Sequence, residues 1–319
     1  MLLVLVEHAG GKPSDPSLQA LTLARAYDPA SPVAALLAGA GARGAAAQLG
    51  SHGVGTAYVI EDDATEGFAP DAWAATLEAI AQEVGATSVF AAGTDRGNEV
   101  MARLAARTGL ALATNCVAIQ PGHPATLTRQ RWGGSLLEEA RLHSDRPLVT
   151  VAPHAVPIET VAAAQVEVKQ FNPSLDAKDL VVRVVEHLDS SGGGVSLAEA
   201  KVVVSGGRGV GSKEGFAIIE ELAGLLGGAV GCSRVVTSAG WRPHTDQVGQ
   251  TGTKIAPDLY IACGISGATQ HMAGCKGAKR ILAINSDAEA PIMLNSDYKV
   301  VGDLREILPA ISAEIRKLK

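Results

Sequence analysis

Residues 240–271 read GWRPHTDQVGQTGTKIAPDLYIACGISGATQH. Within this stretch Leu259–Cys263 is a short apolar run that stops at Gly264-Ile265-Ser266-Gly267 and continues as a helical pattern through Ala268, Thr269, Gln270 and His271. A buried strand that ends on a glycine-rich polar turn and restarts as a helix is the repeating unit of an open parallel sheet. The segment in front of it, Val248-Gly249-Gln250-Thr251-Gly252, is poor core material. It suits a loop that lays backbone N–H groups and small side chains against a large polar ligand.

The same pattern surrounds this stretch. Residues 190–194, SSGGG, have the composition of a flexible linker, so residues 1–189 and 195–319 are expected as two domains joined by a hinge. Beyond it, strands are predicted at Lys201–Ser205, Leu259–Cys263, Arg280–Asn285 and Lys299–Val301. Helices are predicted at Glu214–Leu226 and, interrupted by Pro309, at Leu304–Ile315. In an open parallel sheet the ligand crevice lies at the carboxyl ends of the strands. Here those ends carry Ser205-Gly206-Gly207-Arg208, Gly264-Ile265-Ser266-Gly267, Asn285-Ser286-Asp287 and Gly302-Asp303, four turns expected to converge on one edge. Each has a plainer reading: GGRGVGS as a ligand-free tight turn, VGQTG as a simple turn, Arg234 as a solvated charge in a loop, Asp303 as a helix cap. The glycine spacing matches neither G-x-G-x-x-G nor a P-loop.

The N-terminal half alternates in the same way. Strands are predicted at Leu2–Val6, Ala57–Glu61, Ser88–Ala92 and Leu148–Val151, with helices at Ser17–Ala26, Ala72–Val84 and Glu99–Thr108. Val161–Lys169 and Leu180–His187 read as extended. This implies βαβ units and a mainly parallel sheet. Gly93-Thr94-Asp95-Arg96-Gly97 reads equally well as a phosphate loop and as a helix cap.

Composition narrows the partners. The 319 residues are 47% hydrophobic but only 3% aromatic, so the core must be Ala, Val, Leu and Ile. The formal charge of −6 disfavours nucleic acid and anionic membrane. MLLVLVEH turns acidic too soon for a signal peptide and reads as a first buried strand, and no apolar run reaches membrane-span length. Cys116, Cys232, Cys263 and Cys275 are dispersed without a CxxC pair, and the histidines show no metal-binding spacing, so buried free thiols, no metal and a reducing cytoplasm are expected.

VVVSGGRG, GCSR, AGW, VGQTG, APDLYIACGISGATQH, AINSDAEAPI and VGDL together resemble the α subunit of electron-transfer flavoproteins (the FixB-like family), in that family's order and spacing. VLVEH and ARLAARTGLALATNCVAI extend the resemblance to the N-terminal half. The resemblance implies an N-terminal α/β domain of the nucleotide-hydrolase type that contacts a β subunit, and a C-terminal doubly wound domain that binds FAD. It implies a heterodimer whose β subunit holds AMP.

For individual residues, it implies that Arg234 lies near the isoalloxazine and favours its anionic one-electron-reduced form. It places Thr251 at flavin N5 with Gln250 beside it, and His271 at the O2 carbonyl. Arg208, Ser233 and Ser266 fall along the phosphate and ribityl portion, Asn285 and Asp303 at the adenosine end, and Gly264, Gly267 and Gln270 are implied as further cofactor-binding residues. The implied function is electron carriage, from acyl-CoA or related dehydrogenases of fatty acid β-oxidation to a quinone oxidoreductase. Three rivals stand beside it: an electron-bifurcating, NADH-dependent relative, a nicotinamide-dependent dehydrogenase, and a nucleotide-binding module without redox use.

Overall fold

A computed structural model describes residues 1–61, 67–184 and 195–318. The chain divides into two compact units, Met1–His187 and Leu188–Lys319. The SSGGG stretch at 190–194 lies outside the described residues.

The first unit runs β1 (Leu2–Leu5), β2 (His8–Ala9), β3 (Lys12–Pro13), α1 (Asp15–Tyr27), β4 (Val33–Ala38), α2 (Ala42–Ala46), β5 (Val54–Ile60), α3 (Pro70–Glu83), β6 (Ser88–Ala92), α4 (Asp95–Thr108), β7 (Leu112–Gln120), β8 (Ala125–Arg131), β9 (Leu136–Leu142), β10 (Leu148–Val151) and β11 (Glu167–Gln170). Among the described residues the sheet has nine strands in the order β11-β5-β4-β1-β6-β10-β7-β8-β9. It is parallel from β11 to β7 and antiparallel through β7, β8 and β9. β1, β4, β6 and β10 are buried along their whole length, as expected of strands covered by helices on both faces.

Two features depart from the sequence expectation. β4, VAALLA, carries no alternation, because a strand buried on both faces needs none. The β8–β9 hairpin, ATLTRQR against LLEEARL, extends the sheet with antiparallel strands. Of the extended segments, only Glu167–Gln170 pairs as a strand; Ala177–Leu180 is a single 3-10 turn, and residues 185–187 lie outside the described residues.

The second unit runs β12 (Val202–Gly206), α5 (Ala217–Leu226), β13 (Ala229–Cys232), α6 (Arg234–Ser238), β14 (Leu259–Cys263), α7 (Thr269–Cys275), β15 (Ile281–Asn285), α8 (Pro291–Leu294), β16 (Tyr298–Val301) and α9 (Leu304–Lys317). Its five strands are all parallel, in the order β13-β12-β14-β15-β16. One face buries Val204, Phe216, Ile219, Leu222, Ile261, Leu304 and Leu308 under α5 and α9. The other buries Val203, Tyr260, Ala262, Met272, Cys275 and Ile292 under α7 and α8. Helices on both faces make this a doubly wound sheet.

Pro309 does not interrupt the last helix, which is continuous from Leu304 to Lys317. A proline inside a helix loses one backbone bond. Here Leu304, Leu308, Ile311 and Ile315 hold one face of the helix on the sheet, and that burial outweighs the lost bond. All four cysteines are buried and free. Among the described residues no helix is long and apolar enough to cross a membrane.

Candidate functional site

The strand order of the second unit reverses direction between β12 and β14. At such a switch point the two following loops diverge to opposite faces and leave a crevice at the carboxyl edge. Here the two loops begin in direct backbone contact. Gly207 N donates to Cys263 O at 2.8 Å and Gly209 N to Gly264 O at 3.1 Å. A Cβ on Gly264 would sit 2.7 Å from Gly209 Cα, and Gly264 itself has φ +61°. Only glycine allows both the approach and the turn.

Arg208 stands on the β12 loop and is exposed. Ser233 and Arg234 follow β13, with Ser233 the residue before α6 and Arg234 its first residue. The sequence placed them in a loop; the strand and the short helix were missed because Ala229–Cys232 spans only four residues. Neither the Arg208 nor the Arg234 guanidinium has an ion-pair or hydrogen-bond partner among the described residues, although Arg242 and Arg280 nearby in sequence are both paired.

The VGQTG loop is folded onto the start of α7. Gln250 N donates to Gln270 O at 2.7 Å, and a Cβ on Gly274 would lie 2.3 Å from Gly249 N. This packing brings Gln250, Thr251, Gln270 and His271 together, with the first three exposed. Ser266 is exposed and Gly267 buried on the loop after β14, which Asn285 braces by donating from Nδ2 to Ile265 O at 2.9 Å. Asn285 is 8% exposed and its Oδ1 accepts from Asp287 N. Asp303 caps α9 through Arg305 N at 2.9 Å while remaining exposed.

His271 is placed differently from the sequence expectation. It is 7% exposed and turned into the core, with Nε2 2.7 Å from the Tyr260 hydroxyl. Burial lowers its pKa to about 4, against a small opposing pull from the Val248 backbone, so the ring is neutral. Its Nδ1 is buried and makes no hydrogen bond of good geometry.

Three participants were not singled out from the sequence. Gln247, 2% exposed, receives a hydrogen bond from Thr237 Oγ1 at 2.7 Å and donates from Nε2 to Thr251 Oγ1 at 3.0 Å. Tyr260 reads as an ordinary strand residue until its hydroxyl is seen against His271. A β-bridge between Cys232 and Gln247, with Val248 N donating to Cys232 O at 2.9 Å, also joins the end of β13 to the VGQTG segment, and nothing in the spacing foretells it.

In the first unit, Gly93–Gly97 caps α4 through Thr94. Thr94 Oγ1 donates to Glu7 Oε1 at 2.5 Å and accepts from Gly97 N at 2.9 Å, and Asn98 Nδ2 donates to Gly93 O. Burial raises the Glu7 pKa, with Thr94 pulling it back.

Residues 2–176 match the family model "Electron transfer flavoprotein domain", and residues 196–276 match "Electron transfer flavoprotein FAD-binding domain". The chain is 38% identical to the electron transfer flavoprotein subunit alpha of Mycobacterium leprae over 99% of its own length and 98% of that protein. Identity to the subunit alpha of Bacillus subtilis is 34%, covering 99% and 98%. Protein FixB of Clostridium saccharobutylicum is 36% identical over 89% of this chain and 86% of that one.

Proposed function

The chain belongs to the electron-transfer flavoprotein α-subunit family, and on that premise we propose that its second unit carries FAD across the β12–β14 crevice as a one-electron relay between a dehydrogenase and a quinone oxidoreductase or other acceptor. The family implies a β-subunit partner, and the domain matched at 196–276 binds FAD.

The residues present fit that cofactor. Two guanidiniums, Arg208 and Arg234, stand free at one sheet edge, and a diphosphate and an electron-rich ring are the anionic parts of FAD they would meet. His271 Nδ1 is buried beside Val248 at the start of the VGQTG loop and makes no hydrogen bond of good geometry there. These free polar groups on loops with all-glycine crossings are the observation that supports the reading.

When bound, FAD supplies a two-electron store that can be filled and emptied one electron at a time. Arg208, with Ser233, Ser266 and the Gly264, Gly267 and Gln270 turn, would hold the diphosphate and ribityl chain. Arg234 would lie by the ring and offset the negative charge that develops on reduction. Thr251 would donate to flavin N5 with Gln250 beside it, and neutral His271 would donate from Nδ1 to the O2 carbonyl. Asn285 and Asp303 would take the adenosine end while keeping their structural bonds. The proposed donors are acyl-CoA or related dehydrogenases and the acceptor a quinone oxidoreductase, with AMP in the β subunit and a cytoplasmic setting.

The test is co-purification with the candidate β subunit, then anaerobic titration with an acyl-CoA dehydrogenase reduced by its substrate. One FAD per heterodimer, reduced by the dehydrogenase and not by NADH, is the expected result. Two FAD per heterodimer and direct reduction by NADH would move the protein to the bifurcating relatives. Absence of bound flavin would overturn the site.

A further inference from the structure

Gln247 reaches the proposed flavin site through the Thr251 side chain, and Thr237 reaches it through Gln247 and through the carbonyl of Arg234. Gln247 is fixed before its side chain is considered. Its backbone bridges Cys232, its N–H donates to His244 O at 3.0 Å, and its carbonyl accepts from Thr253 N at 2.7 Å. The amide end is therefore held between Thr237 on α6 and Thr251 on the VGQTG loop.

The direction of these bonds is set by the orientation of the Gln247 amide, Oε1 toward Thr237 and Nε2 toward Thr251. The Thr237 hydroxyl has one proton and two acceptors in reach, Gln247 Oε1 at 2.7 Å and Arg234 O at 2.9 Å. Given to the nearer oxygen, it meets the carbonyl of the amide, and the NH2 faces Thr251. Nε2 then donates to Thr251 Oγ1 at 3.0 Å. The Thr251 oxygen is met from inside, and its own proton is left for the exposed side, where Thr251 has no other partner among the described residues. Reversed, the amide would take the Thr251 proton and leave only lone pairs facing out.

We infer that Thr237 and Gln247 are positioning residues that set the Thr251 hydroxyl as a hydrogen-bond donor, so that the site selects a ring presenting an acceptor atom at that point. Oxidised flavin presents such atoms along its pyrimidine and N5 edge, whereas a ring protonated at the facing nitrogen would meet the hydroxyl proton to proton. The relay thus ties the α6 segment that carries Arg234 to the protonation preference of the cofactor. This inference rests on the placement of Thr251 against the flavin given above.

The experiment uses the FAD-loaded complex with the β subunit and four proteins: wild type, Thr251→Val, Thr237→Val and Thr237→Ser. FAD content, the visible spectrum of the oxidised form and the midpoint potential are read in each. Thr237 is half-buried and valine matches its shape, so Thr237→Val keeps the packing and removes only the donor. Thr237→Val is expected to shift the long-wavelength band and the potential in the same direction as Thr251→Val and by less, at full FAD content, with Thr237→Ser restoring the wild-type values. A second probe, Gln247→Met, removes the amide and is expected to behave as Thr237→Val does. Wild-type band and potential in Thr237→Val and Gln247→Met, with Thr251→Val shifted, would overturn the relay and leave the site standing. No shift in Thr251→Val either would overturn the placement of Thr251 itself. A shift in Thr237→Val that serine fails to reverse would also overturn the relay.

Discussion

The Tyr260 hydroxyl and His271 Nε2 meet at 2.7 Å inside the second unit, with Tyr260 on the central strand β14 and His271 in the first turn of α7. Both groups are neutral there: burial drives the tyrosine well above its usual range and the histidine down to about 4. This bond joins the sheet interior to the helix whose first turn supports the VGQTG loop, so the floor of the proposed flavin pocket is anchored by one buried polar pair.

Removing the hydroxyl should therefore cost more than an average hydrogen bond. Tyr260→Phe leaves the buried Nε2 without its partner, a loss of about 1–3 kcal/mol. Urea unfolding of the second unit's transition checks this, and a change below about 0.5 kcal/mol would show that the pair contributes no anchoring.

Acid should loosen the same place. The folded pKa of His271, about 4, lies below the 6.5 of an open imidazole. Between those values the unfolded chain binds a proton that the folded chain does not, so stability rises with pH in that window. The contribution is complete above about pH 6.5 and is lost as pH falls towards 4, by roughly 3 kcal/mol in all. His271→Gln should flatten the stability–pH curve in that window relative to wild type; parallel curves would contradict the buried neutral ring.

At the switch point, Gly264→Ala combines a φ of +61° with a Cβ set 2.7 Å from Gly209 Cα. Strain of this kind costs about 1–3 kcal/mol, and the clash is with backbone, which cannot swing aside. The variant should unfold at lower temperature and co-purify with less FAD. Retention of full FAD content would show that the β12 and β14 loops tolerate separation.

Arg234 should separate redox tuning from folding. Its guanidinium is exposed and unpaired among the described residues, so Arg234→Ala should change stability by less than about 0.5 kcal/mol. If it offsets charge on the reduced ring, its removal lowers the midpoint potential by tens of millivolts, the equivalent of ~1 kcal/mol for one electron. An unchanged potential in the spectroelectrochemical titration removes Arg234 from the ring.

The five-stranded sheet was legible in the sequence where apolar runs stop at glycine-rich turns, and Leu259–Cys263 was read to its last residue. Ala229–Cys232 was not, because four residues without alternation carry too little pattern to be told from a loop. The site divides in the same way. Arg208, Gln250, Thr251 and Ser266, named from the sequence, stand on loops of the second unit, whereas Ser233 and Arg234 open α6 and Gln270 lies in α7.

The sequence by itself determined the alternation of strands and helices, the glycine turns at the carboxyl ends and the kinds of polar group they carry, because these depend on local backbone freedom and on which runs can be buried. Only the tertiary structure decided that His271 faces Tyr260, that Gln247 lies between Thr237 and Thr251, and that Gly264 rests on Gly209. Those relationships join residues up to 55 positions apart, 264 less 209, and are set by strand order and buried hydrogen-bond satisfaction, which no local pattern encodes.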